Sequence, residues 1–543
     1  MFRAFCLILT GIATMAQGAP PLHREIDRII NAQAGGPSAT ISSDAEFFRR
    51  VQLDIAGTIP DTGQVRAFLN DKSAQKRAQL IDSLLASESF AVHWTDRLST
   101  MLLERQALGK VTDGQWRAYL KRSMQGTPRW DVMVREMLTA TGKGESRAAM
   151  KFLGNGSHHR LTEDVARLFL GMDLKCAKCH DHPSVKEWKQ AHYWGLYAYL
   201  NQTKQATNSK DKQVYFVESL ATEKIKFQSV FEDNEEETGP RLPGGIEVSI
   251  PAYEKGKEFD RPATDSLPAV PRFRPRELLA RDLPSRENVH FVHNAVNRVW
   301  FLMMGRGLVH PLDEMHGKNP SSHPELTAIL AREFVAHQFD LKWLLREIAL
   351  SKSYQHSSLL PERVKTVAAS SYRTAHPKAM TPEQLLNAIL KATGNLEKVT
   401  AMKTEPDAEK FDRRGYFSGT HGKMPKSFEE IRAIFMETFA QPAGEAEDDF
   451  LPGLNRSLFL MNDRLVLHWL EPHDDNLVQR LAKMQDHGKI AEEMYLSVLA
   501  RFPEEEEMQT LKDYLEKNET RSNAALGELA WALLTSTEFR LNH

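Results

Sequence analysis

The chain has 543 residues, 41% of them apolar and 26% charged, with a formal net charge of −2. That is the composition of a soluble protein of about two to four domains, each able to bury its own core without disulfides. The near-zero charge supplies no global field for nucleic acid or an anionic lipid surface, which argues against a nucleic-acid partner.

Residues 1–18 read as a secretory signal. Arg3 provides the positive end, Ala4 to Ala13 an apolar stretch centred on Leu7, Ile8 and Leu9, and Ala16-Gln17-Gly18 the small residues of a cleavage site. The apolar run falls short of the ~20 residues that span a bilayer, so cleavage after Gly18 is expected rather than anchoring. No later segment resembles a transmembrane helix, which puts the mature protein in the periplasm or outside the cell. Cys6 leaves with the signal, and Cys176 and Cys179 remain. A pair closing so short a loop constrains the chain very little, so its role is expected to be chemical rather than structural.

A first helical domain is expected over residues 40–203. Phe47, Phe48, Val51 and Leu53 lead to a Gly57-Thr58-Ile59-Pro60 break, followed by helices through Val65, Phe68 and Leu69 and from Leu80 to Leu85. A helix from Thr162, as N-cap, to about Lys175 carries Val165, Leu168, Phe169 and Met172 on one face and delivers the chain into Cys176. Trp188 to Leu200 continues as a helix rich in aromatic residues.

Residues 204–275 change character. Apolar stretches at Val214–Val217 and Ile225–Val230, an acidic run from Glu232 to Glu237 and a Pro/Gly-rich tract predict a small β-containing insertion and linker, with the acidic run as a solvated loop. A second helical domain, 276–543, follows. Asn288 to Met304 forms a helix stopped near Gly305, Pro324 opens the next, and Thr381-Pro382-Glu383-Gln384 is a capping box. The fold class is therefore mainly α: two multi-helical domains separated by the insertion. A weak internal echo links residues 53–90 to 496–539. Leu84-Leu85-Ala86-Ser87-Glu88-Ser89-Phe90 parallels Leu533-Leu534-Thr535-Ser536-Thr537-Glu538-Phe539, and each stretch reads helix, Pro turn, helix, helix.

Cys176-Ala177-Lys178-Cys179-His180 has the spacing of a c-type haem attachment site, in which two thiolates form thioethers to the vinyl groups and the following His ligates iron. Export supports that chemistry independently. A thioredoxin-like pair would want the helix on the other side of the motif. A zinc site from Cys176, Cys179, His180 and His182 is the alternative cofactor, although four ligands within seven residues are tightly spaced. The expected cofactor is one covalent haem c held by Cys176, Cys179 and His180, in a protein of one-electron transfer or a haem-dependent redox step. The second reading is a non-catalytic structural or interaction protein whose Cys/His cluster binds zinc or nothing. The redox or protein partner is unknown, and carboxylate pairs that meet only in the fold leave no trace in the sequence.

Phe169-Leu170-Gly171, the motif with Asp181-His182-Pro183, then Trp188, Tyr193 and Gly195, together with Arg50-Val51-x-Leu53-Asp54-x-x-Gly57-x-x-Pro60, resemble a planctomycete cytochrome-c-like family of secreted domains. Asn297-Arg298-Val299-Trp300, Gly305-Arg306-Gly307-Leu308-Val309, Ser322-His323-Pro324-Glu325-Leu326 and Ser353-Tyr354-Gln355 resemble its usual C-terminal partner, a domain of unknown function. The resemblance implies a haem-bearing secreted domain docked to a helical one. The separate N-terminal cytochrome domain of many members is missing, which implies a single haem.

The iron's second axial ligand is open. No Met lies between His180 and Met303, Met172 sits on the segment carrying the motif, and His182 is two residues from His180. His158 and His159 precede a helix that spans roughly 20 Å. His192, His290, His293 or an empty position remain, so the candidate iron ligands are His180 and His192 and the expectation is bis-His or five-coordinate iron. Asn297, Arg298 and Trp300 read as packing residues, His323 as a helix-start residue, and Asp313, Glu314 and His316 as a polar loop.

Overall fold

A computed structural model of the protein describes residues 20–543 except 108, 143, 155, 208–211, 265–267, 404–410, 419–422 and 448–452. The expected signal, its cleavage site and Cys6 lie outside the described residues. Twenty-four α-helices and four two-stranded antiparallel sheets stand among those described, so the chain is mainly α and multi-helical.

Local signals in the second half act as the sequence implies. Asn288 caps the helix Val289–Met304 by accepting from Phe291 N, and Gly305, at φ 78°, stops it in the left-handed conformation. Pro324 occupies the first turn of Pro324–Ala336, and Thr381 and Gln384 form a reciprocal capping box on Pro382–Ala392.

The helix before the motif differs from expectation. It runs His158–Leu170, capped by Ser157, and Thr162 lies within it with its hydroxyl donating to His158 O at 2.7 Å. Gly171, at φ 69°, ends it about five residues earlier than the apolar pattern suggested, so it does not lead straight into Cys176. The apolar residues Met172 and Leu174 are buried without being helical, which is why periodicity alone extended the helix too far.

In the insertion, Thr203–Thr207 pairs with Val214–Glu218, Ile225–Gln228 with Glu235–Thr238, and Phe259–Arg261 with Val270–Pro271. Half of the acidic run, expected as loop, is therefore strand. Its carboxylates face solvent, and Glu235 pairs across the ladder with Lys226 at 2.8 Å.

Two apolar cores organise the molecule. The first combines side chains from residues 22–200 with those of 279–372 and takes in Leu496 and Ala500; the second draws on residues 380–539 and takes in Leu53 and Ile59 from the N-terminal part. The seam between them thus passes near residues 372–380, and the segment around Leu53 bridges it. Here the helix Asp44–Val51 loosens into a π-helical turn, Gln52–Ala56, closed by Gly57 at φ 73°. A Cβ on Gly57 would collide with the His93 ring, so this turn can lie against the helix Glu88–Leu103 only with glycine there.

The two echoing stretches adopt the same local structure. Asp61 and Glu504 form capping boxes with Gln64 and Glu507. Ser87 and Ser536 each accept a backbone N–H at 3.1 Å, from Phe90 and Phe539, and each donate to a carbonyl three residues back at 2.7 Å. The stretches also touch. Buried Arg49, just before the first, donates to Val498 O and Phe539 O of the second at 3.2 and 2.7 Å.

Candidate functional site

After Gly171 the chain does not extend away from the helix it has left. Met315 N donates to Gly171 O and Asp173 N to Asp313 O, both at 2.9 Å, pinning the turn to the 313–315 segment of the second half. Cys176–Lys178 then forms a single 3₁₀ turn, anchored by buried Ala177 and presenting Cys176 and Cys179, as free thiols, to the surface. The turn doubles back along the helix His158–Leu170. The Glu163 carboxyl, raised by burial, is pulled the other way by Lys175 and Lys178, and the His159 imidazole, lowered by burial, is lowered further by Lys178.

His180 follows the second thiol. Its Nδ1 lies 2.7 Å from Asp181 O. A carbonyl can only accept, so Nδ1 carries a proton, and in the neutral ring the lone pair lies on Nε2. Its ring stands 5.0 Å from that of exposed Phe231, and Val230 N donates to Cys179 O at 3.0 Å, so the insertion touches the motif. Asp181 accepts from Lys189 Nζ at 2.7 Å and from Gln190 N at 2.8 Å. Burial alone would raise this carboxyl, and those two donors outweigh it and hold the group below its ordinary range. Gln190, in turn, donates to Lys178 O and Gln228 O at 3.2 and 3.1 Å.

The other histidines are placed differently from one another. His182 accepts from Val185 N at 2.9 Å through Nδ1 and stands edge-on to Trp188. Trp188 meets His316 edge-on, and Glu187 accepts from Gly317 N at 2.6 Å, so the second half grips this flank of the motif too. His192 sits in the first turn of Gln190–Leu200, where its Nδ1 accepts from Lys189 N at 3.4 Å. Burial and then Arg241 lower its affinity for a proton, against Glu187 and Asp181, which raise it. His159, which the length of its helix seemed to remove from the motif, belongs to the motif's surroundings. Its Nδ1 lies 2.8 Å from Tyr193 OH and its ring stacks on Tyr197 at 4.7 Å. Tyr193 is itself raised by burial, with Cys179 contributing to the shift.

The donor chemistry fits a covalently attached haem. Two exposed thiols project from one turn, and the adjacent imidazole offers Nε2 because Nδ1 is tied to a backbone carbonyl. Among the described residues no three His, Cys, Asp or Glu side chains converge as a cation site, and this includes the Cys176, Cys179, His180 and His182 set. Asp313 is instead bonded by Arg298 and lies 3.4 Å from Arg167, while Asn297 exchanges two 2.9 Å hydrogen bonds with Val309. Asn297 and Arg298 are thus packing residues, as read from the sequence.

Residues 25–205 match the family described as Protein of unknown function (DUF1549), and residues 275–515 match Protein of unknown function (DUF1553). The chain belongs to the family that pairs these two domains. No curated protein and no solved structure matches the chain. In this paired family member the motif lies in the N-terminal domain and is clamped by residues 313–317 of the C-terminal one.

A second polar centre has no sequence signal. Asp54, in the π-helical turn, accepts from Lys378 Nζ at 2.6 Å, Asn542 Nδ2 at 2.7 Å and Tyr354 OH at 2.8 Å, all buried or nearly so. Asp54 and Tyr354 stand in the segments Leu53-Asp54-x-x-Gly57 and Ser353-Tyr354-Gln355, but nothing in either marks them as partners. Nothing in the spacing points to partners 300 to 488 residues away.

Proposed function

We propose that this chain is an exported monohaem c-type protein of one-electron transfer. Each Sγ–H of Cys176 and Cys179 would add across one vinyl group, sulfur to the inner carbon and hydrogen to the outer, with nothing released. His180 Nε2 would ligate the iron. The chemistry supplied on attachment is a one-electron couple at iron.

The observation that carries the reading is the His180 Nδ1 contact with Asp181 O, 2.7 Å, next to two exposed thiols on one turn. It fixes the tautomer a metal-ligating imidazole needs. Around it the chain's own residues position and screen. Asp181, Lys189 and Gln190 hold the motif's C-terminal end, and the 313–317 segment holds its N-terminal end and far flank. Cleavage after Gly18 would accompany export; among the described residues no helix is long and apolar enough to cross a membrane.

The test is expression with an export signal and a working haem-attachment system. The secreted protein should have the mass of residues 19–543 plus one haem, and its pigment should survive acid-acetone extraction. Cys176→Ala with Cys179→Ala should abolish the pigment. A colourless product with zinc, or with nothing bound, would overturn the proposal in favour of a structural or interaction role.

A further inference from the structure

Across the seam between the two cores lies a cavity of about 580 Å³, large enough for a small organic molecule. Its charged wall residues are Asp54, Arg97, Lys378, Glu447, Arg456 and Arg540. The anions there are already engaged. Asp54 is paired with Lys378 at 2.6 Å, and Glu447 with Arg105.

Among the described residues, Arg97 and Arg540 are the wall cations left without an acceptor for a buried group. Arg97 makes no hydrogen bond or ion pair among the described residues; burial works against its charge, and Glu447, Asp54 and Glu383 compensate only from a distance. The Arg540 Nε is buried and unbonded. A guanidinium group held out of water without an acceptor is strongly unfavourable, and on this wall, among the described residues, Arg97 lacks any acceptor and half-buried Arg540 lacks one for its buried Nε. The remaining wall is largely apolar, with Trp94, Phe301, Phe439 and Leu460. His93 adds no charge at neutral pH, because burial holds its pKa at about 3.

We infer that this cavity binds an organic oxyanion, its anionic head satisfied by Arg97 and Arg540 and its apolar body packed against Trp94, Phe301, Phe439 and Leu460. Guanidinium offers parallel donors that match carboxylate, sulfate or phosphate oxygens, so the head group is defined by that shared chemistry. The cavity draws walls from both family domains, and its occupancy is independent of what the cysteine motif holds.

The test uses the whole chain, with or without pigment, and reads binding by titration calorimetry and thermal melting at fixed ionic strength. Benzoate should bind saturably and raise the melting temperature, while benzyl alcohol, its neutral analogue, should bind at least about tenfold more weakly. Inorganic phosphate and sulfate should compete with benzoate. Arg97→Gln and Arg540→Gln should each weaken benzoate by about tenfold or more, and Arg281→Gln, on the surface, should not. Equal binding of the alcohol, no saturable binding of benzoate, or unchanged benzoate affinity in both cavity variants would overturn the assignment. Should a cavity variant fail to fold, the benzoate and benzyl alcohol pair on the natural chain still decides it.

Discussion

Lys378 Nζ lies 2.6 Å from Asp54 Oδ1, an ion pair between side chains 324 residues apart that ties the π-helical turn of the N-terminal domain to the seam between the two cores. Burial lowers the lysine's affinity for its proton and Asp54 restores part of it. Such a pair is weak evidence of net stabilisation, but removing one member strands the other charge.

Lys378→Met should therefore destabilise the protein by about 3–5 kcal/mol, since Asp54 would keep only Tyr354 and Asn542 as donors. Urea denaturation measures it. Adding Asp54→Asn to Lys378→Met should recover part of the loss, because the stranded charge is then gone. A loss under about 1 kcal/mol for the single variant would show that water reaches Asp54 freely.

Gly57→Ala combines two penalties. The left-handed backbone costs an alanine about 1–2 kcal/mol, and the new methyl would drive into the His93 ring, adding about 1–3 kcal/mol. The expected loss is about 2–5 kcal/mol by the same denaturation assay. A variant as stable as the parent would mean that the turn and the helix Glu88–Leu103 separate easily.

His93 predicts a pH dependence. Burial, then the charge of Arg97, lowers its pKa to about 3, whereas an unfolded histidine titrates near about 6.5. Between those values the unfolded chain binds a proton that the native protein refuses. Stability is then full above about pH 6.5 and falls as the pH drops toward about 3. Burial also raises Glu383, but Arg105 and Arg432 outweigh it and hold this carboxyl at about 2, so its charge too is lost in acid, in the same direction. His93→Gln should remove the histidine contribution, close to one proton's worth of slope, and leave that of Glu383. Identical slopes in parent and variant would refute the assignment.

His192 predicts a split between spectrum and stability. Its ring accepts Lys189 N–H at the start of Gln190–Leu200. In the pigmented protein, His192→Ala should leave the visible spectrum unchanged and cost about 1 kcal/mol of stability, the usual price of a lost cap. A shift of the absorption bands in the variant would make His192 the second iron ligand. The ferric spectrum of the parent should lack a thioether-to-iron charge-transfer band, since Met172 is buried on the segment that carries the motif.

What the sequence determined by itself was local. Asn288 and Gly305 bound one helix, Pro324 opens another, Thr381 and Gln384 cap a third, and Ser87 and Ser536 repeat one cap in two places. Each rests on groups within a turn or two, so spacing carries the information. The motif was legible for the same reason, since two thiols and an imidazole within five positions lie close together wherever the turn sits. The tertiary structure decided what requires the chain to return on itself. Gly171 turns the motif back beside His159, which distance along the helix had placed far away. Apolar Met172 and Leu174 are buried against the second half without being helical. Asp54 meets Lys378, and Arg97 meets no acceptor among the described residues, because two cores close around one cavity. Charge balance in a buried site depends on distances through space, and residues hundreds of positions apart leave no periodicity by which a sequence could declare them neighbours.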